Sequence, residues 1–120
     1  MTNEIFNEIL TETEVAVRDS LRGFAADVMR PIGKELDTMS PEDVIAGDSI
    51  LWEAHRKYGE LGVDLVSQDD SLDPVETARI VALAYEMLGW GDAGLAISLG
   101  VSAMPVNLAQ LSGNPELIEK

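Results

Sequence analysis

Few side chains in this sequence are of the types that perform catalysis or bind metal ions. His55 is the only histidine and there is no cysteine, so a zinc site cannot be assembled and no thiol chemistry is available. Acidic neighbours occur at 42–43 and at 69–70, but we expect both pairs to be exposed, without the apolar pocket that general acid-base catalysis requires. We therefore predict no catalytic residue and no metal ligand, and a structural role for His55.

Ser71 is the one side chain whose surroundings suggest a prosthetic group. It lies in Asp70-Ser71-Leu72, just ahead of a helix start at Asp73-Pro74. This triplet resembles the Asp-Ser-Leu site at which acyl carrier proteins, which are small acidic helical bundles, hold phosphopantetheine. The resemblance covers three residues, and Asp19-Ser20-Leu21 repeats it inside a predicted helix. An acyl-carrier-like protein modified on Ser71 is one alternative for the function.

The charge of the chain excludes several classes of partner. The 120 residues include 22 acidic and 8 basic side chains, which gives a net charge of -14. Nucleic acids and anionic membranes are bound through basic surfaces, so we predict neither as a partner. The N-terminal residues lack the basic and apolar segments of an export signal, and we expect one cytoplasmic domain.

One uncharged stretch, residues 93–115, dominates the elements that would position a site. Its length is sufficient for a helix that spans a membrane. Its many polar residues and its acidic flanks argue against that assignment. Pro105 predicts a break, because proline cannot donate the backbone hydrogen bond of a helix interior. We predict two buried helices, at about 92–103 and 105–111.

After a lead-in over residues 1–10, the first long helix is predicted to begin near Thr11 or Thr13. Thr11 and Glu14 have the spacing of a capping box, in which each side chain bonds the other residue's backbone amide. Apolar residues then recur every three or four positions as far as Leu36, which lines one face of a helix. Pro31 lies within this pattern, so we predict a kink there followed by a helical continuation.

Helix signals also cover most of the remaining chain, and strand signals are nearly absent. Three polar residues precede helix-start patterns: Ser40, Asp48 and Asp73. The helix after Asp48 is predicted to run over 49–58, and the one after Asp73 to end at a left-handed stop supplied by Gly89 and Gly91. We expect the two tryptophans in the core. The fold class is therefore all-α, an up-and-down bundle of five or six helices.

Three segments in this order resemble the N-terminal helical domain of the acyl-CoA dehydrogenases, which are flavin enzymes. They are residues 17–37, which contain VRDSLRGFA, VMRP and ELD; residues 58–63, YGELGV; and residues 83–101, which contain GDAGLAISLG and are followed by Gly113-Asn114. The resemblance extends over residues 11–120. Each segment alone is a weak pattern of helix-forming residues, but their order and spacing make a more specific signal.

The resemblance implies that the complete enzyme dehydrogenates an acyl-CoA between its α and β carbons, with FAD as the cofactor. Family members bind FAD in a β domain and carry the catalytic glutamate in a C-terminal helical domain, and neither domain has a counterpart in this sequence. The resemblance thus implies that this chain alone holds no cofactor and is inactive. Its implied partners are the remaining domains or a partner subunit, within a homo-oligomer.

In the family, this domain forms a wall of the acyl-chain pocket, mostly from the helix that matches residues 92–103. Ala93, Ile97 and Val101 share one face of that helix at i, i+4 and i+8. The resemblance implies that they line the pocket, although the same spacing is typical of ordinary core packing. Small residues at 93, 94 and 100 would leave room for a long or bulky acyl group.

One segment departs from the family pattern. Residues 63–66 predict a short strand or an extended connector, and the loop that follows, 67–73, lacks the glycines found there in many family members. This difference bears on whether the complete enzyme has a standard active site. A third class of function is a non-catalytic helical module, either a protein-interaction domain or one part of a split or heteromeric enzyme. Such a module would expose an apolar patch, because large exposed apolar patches mark interfaces.

Overall fold

A computed structural model describes residues 10–63 and 69–119, and all regular structure among them is helical. The first helix, α1, continues through a π-helical turn into α2, and this continuous element counts as the first of six helices. The helices are α1 (Glu12–Phe24), the π turn (Ala25–Met29), α2 (Arg30–Leu36), α3 (Pro41–Val44), α4 (Leu51–Leu61), α5 (Pro74–Gly91), α6 (Ala93–Ser112) and α7 (Pro115–Ile118). The predicted all-α class is confirmed for the described residues.

The N-terminus of α1 is fixed by the predicted capping box. The Glu14 backbone amide donates to Thr11 Oγ1 over 3.2 Å, and the Thr11 amide donates to Glu14 Oε2 over 3.0 Å. Thr11 Oγ1 also donates to Glu76 Oε1 over 2.7 Å, which joins the start of α1 to α5. Of the predicted lead-in, residues 1–9 lie outside the described part of the chain.

The kink predicted at Pro31 takes the form of the π turn that ends two residues before it. Within this wider turn the Arg30 amide donates to the carbonyl of Ala25, five residues back. The turn inserts one extra residue before a proline that has no amide hydrogen to donate. The helix then continues to Leu36 as predicted, with Gly33 buried against the Asp92 carboxylate, where a Cβ atom would collide.

The core lies between α1, the π turn and α5. Its largest fully buried apolar side chains are Leu21, Met29 and Ile80. α6 packs on α5, while α4 contacts α2 and α6. The core therefore collects side chains from most of the chain, and its buried apolar members are Val17, Leu21, Phe24, Ala25, Met29, Ile32, Leu51, Ala54, Val63, Ile80, Ala84, Met87, Leu88, Leu95, Ala96 and Leu99.

The predicted caps of α3 and α4 have different outcomes. Ser40 caps α3 as predicted, since its Oγ accepts from the Asp43 amide over 3.2 Å. The cap predicted at Asp48 is wrong, because α4 begins only at Leu51 and its first amide donates to Ser49 Oγ. α4 ends at the left-handed Gly62, with φ of 67°. Of the predicted strand or connector at 63–66, residues 64–66 lie outside the described residues.

The left-handed stop predicted at Gly89 and Gly91 is wrong. Neither glycine has a positive φ, and the chain leaves α5 through extended Asp92, with φ of -164° and ψ of 122°. Gly91 instead allows α5 to approach the π turn closely. A Cβ atom there would lie 2.8 Å from the Ala25 Cβ and 3.0 Å from the Met29 sulfur, so its small size lets α5 meet the π turn.

α6 does not break at Pro105, contrary to prediction. It is one helix of 20 residues, capped by Asp92 Oδ1, which accepts from the Leu95 amide over 2.8 Å. Pro105 removes one hydrogen bond, to the carbonyl of Val101 four residues back. Val101 is more than half exposed, so water can reach that carbonyl. The helix ends at left-handed Gly113, and Asn114 caps α7.

The prediction that residues 93–115 form a buried element is also wrong. Only Leu95, Ala96 and Leu99 of α6 are buried. The side chains beyond Ala103 are nearly all exposed, with Leu111 at 84%. By length and composition alone, α6 is the one helix among residues 10–63 and 69–119 that could cross a membrane, and 17% of its most apolar window is buried.

Candidate functional site

The structure places the three predicted pocket-wall residues together on the outer face of α6. Ala93, Ile97 and Val101 are all exposed, Ile97 by 69% and Val101 by 54%. We call these three residues the outer stripe. At about 100° per residue, they lie on the opposite side of the helix from Leu95 and Leu99, which pack toward α5. The outer stripe is therefore not ordinary core packing within the described residues.

A separate apolar cavity lies on the inner side of α6, where α4, α5 and α6 meet. Its volume is about 130 Å³. That is close to the roughly 150 Å³ of an apolar protein cavity that accepts benzene. It could therefore hold the end of an acyl chain or a small apolar group. Its lining residues are Tyr58, Val63, Ile80, Val81, Ala84, Tyr85, Leu88, Leu99, Gly100, Ala103 and Asn107.

Gly100 and Tyr85 face each other at this cavity. A Cβ atom on Gly100 would lie 3.3 Å from both Cε1 and Oη of Tyr85, so the room expected beside this glycine is occupied by the tyrosine ring. Tyr85 is 56% exposed, so its ring has open space on one side. Sequence reasoning missed Tyr85, although an aromatic ring with a polar end in a mostly apolar stretch of helix is a recognisable signal.

His55 and Ser98 connect α4 to α6 at the edge of the core. His55 Nε2 and Ser98 Oγ share a hydrogen bond of 2.8 Å. Partial burial lowers the pKa of His55 below its ordinary value of 6.5, because burial penalises the charged ring. The imidazole is therefore mostly neutral at pH 7. The contact fits the structural role predicted for this residue.

Both tryptophans are half-exposed, so the expectation that they lie in the core is wrong. Trp90 is 40% exposed, and the guanidinium groups of Arg30 and Arg22 lie 3.8 Å and 4.8 Å from its ring centre. This cation-π cluster joins α1 and α2 to the end of α5. Trp52 is 45% exposed, and its indole nitrogen donates to the carbonyl of Ala46 over 2.8 Å.

Ser71 lies exposed in the turn before α5. Its hydroxyl and its backbone amide both donate to Asp69 Oδ1, over 2.5 Å and 2.9 Å. The hydroxyl bond, followed by the amide bond, lowers the pKa of Asp69. Asp73 occupies the cap position of α5, but its side chain makes no capping bond. Ser71 thus lies close to a helix start, as the carrier interpretation expects.

The predicted exposure of the acidic neighbours is confirmed. Both members of the 42–43 and 69–70 pairs are exposed. Over residues 10–63 and 69–119, no group of three or more His, Cys, Asp or Glu residues is arranged to hold a metal ion. The outer stripe of α6 and the cavity beside Tyr85 are two apolar features that could contact an apolar ligand.

Comparison with known proteins adds no relative to this description. No family model, no curated protein and no solved structure matches the chain. The functional interpretation consequently depends on the geometry of α6 and on the resemblance of the three sequence segments.

Proposed function

We propose that this chain is the N-terminal helical domain of a flavin-dependent acyl-CoA dehydrogenase and contributes a wall of its acyl-chain pocket. The observation that carries the proposal is the exposure of the outer stripe. Ala93, Ile97 and Val101 are apolar and contiguous on α6, yet they face away from the core. Leaving apolar area in water costs about 25 cal/mol per Å², so an apolar surface that covers the stripe is favoured.

In this proposal the outer stripe contacts the hydrocarbon part of the substrate. The stripe excludes water from the acyl group of the substrate and limits the space beside it. This protein chain contributes no catalytic group. In the complete enzyme FAD would be held by other domains, with no residue of this chain as its ligand, and would supply the hydride acceptor. Those domains, or a partner subunit that supplies them, form the opposite wall of the pocket and cover the stripe.

The experiment uses the protein purified from its own organism, together with the polypeptides that accompany it. The proposal expects the visible absorption of flavin in the purified assembly, and bleaching of that absorption by acyl-CoA thioesters. A tryptophan at position 97 or 101 fills space along the stripe. Ile97→Trp and Val101→Trp should therefore lower kcat/KM for long acyl chains by at least about tenfold, equivalent to roughly 1.4 kcal/mol, and should affect short chains less.

Ser102→Trp is the matched control, because Ser102 is exposed on the same helix but lies about 100° or more around the helix axis from each residue of the stripe. An assembly without flavin, or a chain-length profile that the stripe variants leave unchanged, would contradict the proposal. If Ser102→Trp also abolished activity for acyl groups of every length, the effect of the stripe variants would not be specific to the pocket wall.

An acyl-carrier-like function is the second candidate, favoured by the exposure of Ser71 in the turn before α5. Modification would attach phosphopantetheine to the serine hydroxyl, which is otherwise bonded only to Asp69 Oδ1 among the contacts of the described residues. Intact mass after incubation with a phosphopantetheinyl transferase and coenzyme A distinguishes the two functions. The dehydrogenase proposal expects no added mass, whereas an addition that Ser71→Ala abolishes would replace it with the carrier function.

A further inference from the structure

The cavity where α4, α5 and α6 meet has a buried apolar floor. Ile80 and Leu88 of α5 and Leu99 of α6 are almost completely buried, and Val63 and Ala84 beside them are buried as well. The interiors of natural proteins are close-packed, with few voids larger than a water molecule. An opening of about 130 Å³ next to such a floor is therefore a feature that packing alone does not favour.

Small side chains on two facing helices create this space. Each helix lines the cavity with a row of residues at i, i+4 and i+8, which lie along one face of a helix. The middle residue of each row is an alanine, and Gly100 adds a third small residue. The rows are Ile80, Ala84 and Leu88 in α5, and Leu99, Ala103 and Asn107 in α6.

The rim of the cavity carries polar groups. Tyr85 and Asn107 line the cavity and are both exposed. The Tyr85 hydroxyl lies beside Gly100, since a Cβ atom on that glycine would be 3.3 Å from Oη. Among the residues that the structure describes, neither the Tyr85 hydroxyl nor the Asn107 side-chain amide bonds to another residue. A ligand can therefore place its apolar part on the floor and one polar group at the rim.

The lining favours a neutral ligand. None of the residues that line the cavity is acidic or basic. Moving an ionised group from water to an apolar surface is costly when no partner is present, and the net charge of -14 also repels anions. The cavity thus selects a neutral molecule over a carboxylate or a phosphate ester of similar size.

Two tyrosine rings favour an aromatic ligand over an aliphatic one. Tyr58 of α4 and Tyr85 of α5 both line the cavity. Aromatic rings in offset or edge-to-face contact attract each other beyond the effect of their buried area. The volume limits the size of the ligand, because an apolar cavity of about 150 Å³ accepts benzene. A single six-membered ring matches these properties.

We propose that this cavity binds a small neutral aromatic molecule that carries one hydroxyl group, with phenol as the simplest example. The ring packs on the apolar floor. The hydroxyl group, which can both donate and accept a hydrogen bond, meets Tyr85 Oη and the Asn107 amide at the rim.

This ligand site is independent of the proposed acyl pocket. Ala103 at the cavity lies about 120° or more around the axis of α6 from Ile97 and Val101 of the outer stripe. Binding to the cavity can therefore be measured on the chain alone, without flavin or acyl-CoA. Failure of one proposal leaves the other standing.

An NMR titration of the full, isotope-labelled chain with phenol provides the first test. We expect saturable shifts of the backbone amides of Leu99, Gly100 and Ala103, with a dissociation constant of about 1 mM or lower. Toluene should shift the same amides, because it retains the ring. Benzoate should not, because its carboxylate is charged.

Ala103→Leu fills the cavity from α6 and should raise the dissociation constants of phenol and toluene at least about tenfold. Ala109→Leu is the matched control, because it makes the same change at a half-buried residue of the same helix that does not line the cavity. It should leave both dissociation constants unchanged. Circular dichroism checks that each variant retains its helices.

Tyr85→Phe separates the ring contact from the polar contact. It keeps the aromatic ring and removes only Oη, at an exposed position where the fold does not depend on the hydroxyl. Loss of one neutral hydrogen bond should weaken the binding of phenol by about two- to tenfold. The binding of toluene should be unchanged. Equal effects on the two probes would contradict the polar contact at the rim.

Three results would overturn the proposal. The first is the absence of saturable shifts at the lining amides with phenol and with toluene. The second is binding that Ala103→Leu does not weaken, which would place the probes elsewhere on the chain. The third is displacement of phenol from the same amides by decanoyl-CoA, which would assign the cavity to an acyl chain.

Discussion

The two long helices, α5 and α6, differ in a way that their compositions do not suggest. α5 contains three charged residues but buries Ile80, Ala84, Met87 and Leu88, because α1, the π turn and α6 pack around it. α6 contains no charged residue, yet its buried residues all lie in its first two turns. The number of neighbouring elements decides which side chains are buried. A highly apolar helix with few neighbours therefore leaves most of its apolar side chains exposed.

The largest expected difference between the two regions comes from a matched pair of leucine truncations. Leu21 is 0% exposed within the core, whereas Leu108 is 65% exposed in the C-terminal half of α6. Leu21→Ala should lower the free energy of unfolding by about 2–5 kcal/mol, through lost burial and the cavity left behind. Leu108→Ala should change it by less than about 0.5 kcal/mol.

Urea unfolding followed by circular dichroism measures both values. Equal losses in the two variants would mean that the C-terminal half of α6 is packed in solution and that the contrast between α5 and α6 does not hold.

A second pair of substitutions tests the tight contact between α5 and the π turn. Gly91→Ala would place a Cβ atom 2.8 Å from that of Ala25, and overpacking of this kind costs about 1–3 kcal/mol. Gly89→Ala is the control, because nothing lies within 4 Å of its added Cβ and alanine is the better helix former by about 0.5–1 kcal/mol. The same unfolding measurement should show opposite signs for the two variants.

The capping box at the start of α1 should contribute a smaller amount. Thr11→Ala removes the acceptor for the Glu14 amide and the bond to Glu76, and loss of an N-cap costs about 1 kcal/mol. Thr13→Ala makes the same chemical change at an exposed position within the helix, where alanine is favoured. A loss of stability in the Thr13 variant equal to that in the Thr11 variant would argue against the cap.

The smallest effect concerns the hydrogen bond between His55 of α4 and Ser98 of α6. The folded-state pKa of His55 lies below its ordinary value of 6.5, so the unfolded chain binds a proton more readily than the folded chain. Stability should therefore fall as the pH drops through 6.5 toward the folded-state pKa. Because His55 is the only histidine, His55→Gln should remove this slope between pH 7 and pH 6, as read from urea midpoints.

Features that depend on neighbouring residues in the sequence were predictable. The caps at Thr11 and Ser40 were correct because a side chain and an amide three positions apart meet in any helix start. The cap predicted at Asp48 failed because the turn before α4 is closed by Ser49 instead. Local patterns therefore gave the all-α class and most helix positions.

Features that depend on distant parts of the chain were not predictable. α6 continues through Pro105 at a part of the helix where Val101 is 54% exposed, and sequence does not report that exposure. The shared face of the outer stripe followed from its spacing, but its exposure depends on which elements surround α6. The contact between Tyr85 and Gly100 joins two helices, so no short pattern contains it.

The π turn in the first helix sets which side of α2 faces the start of α6. Each residue added to a helix rotates the following side chains by about 100°, and with the extra residue of this turn Gly33 lies against Asp92. Asp92 in turn caps the first turn of α6 through its bond to the Leu95 amide. Deleting one residue between Ala25 and Met29 would therefore rotate Gly33 away from Asp92 and disturb the start of a helix more than sixty positions further along the chain.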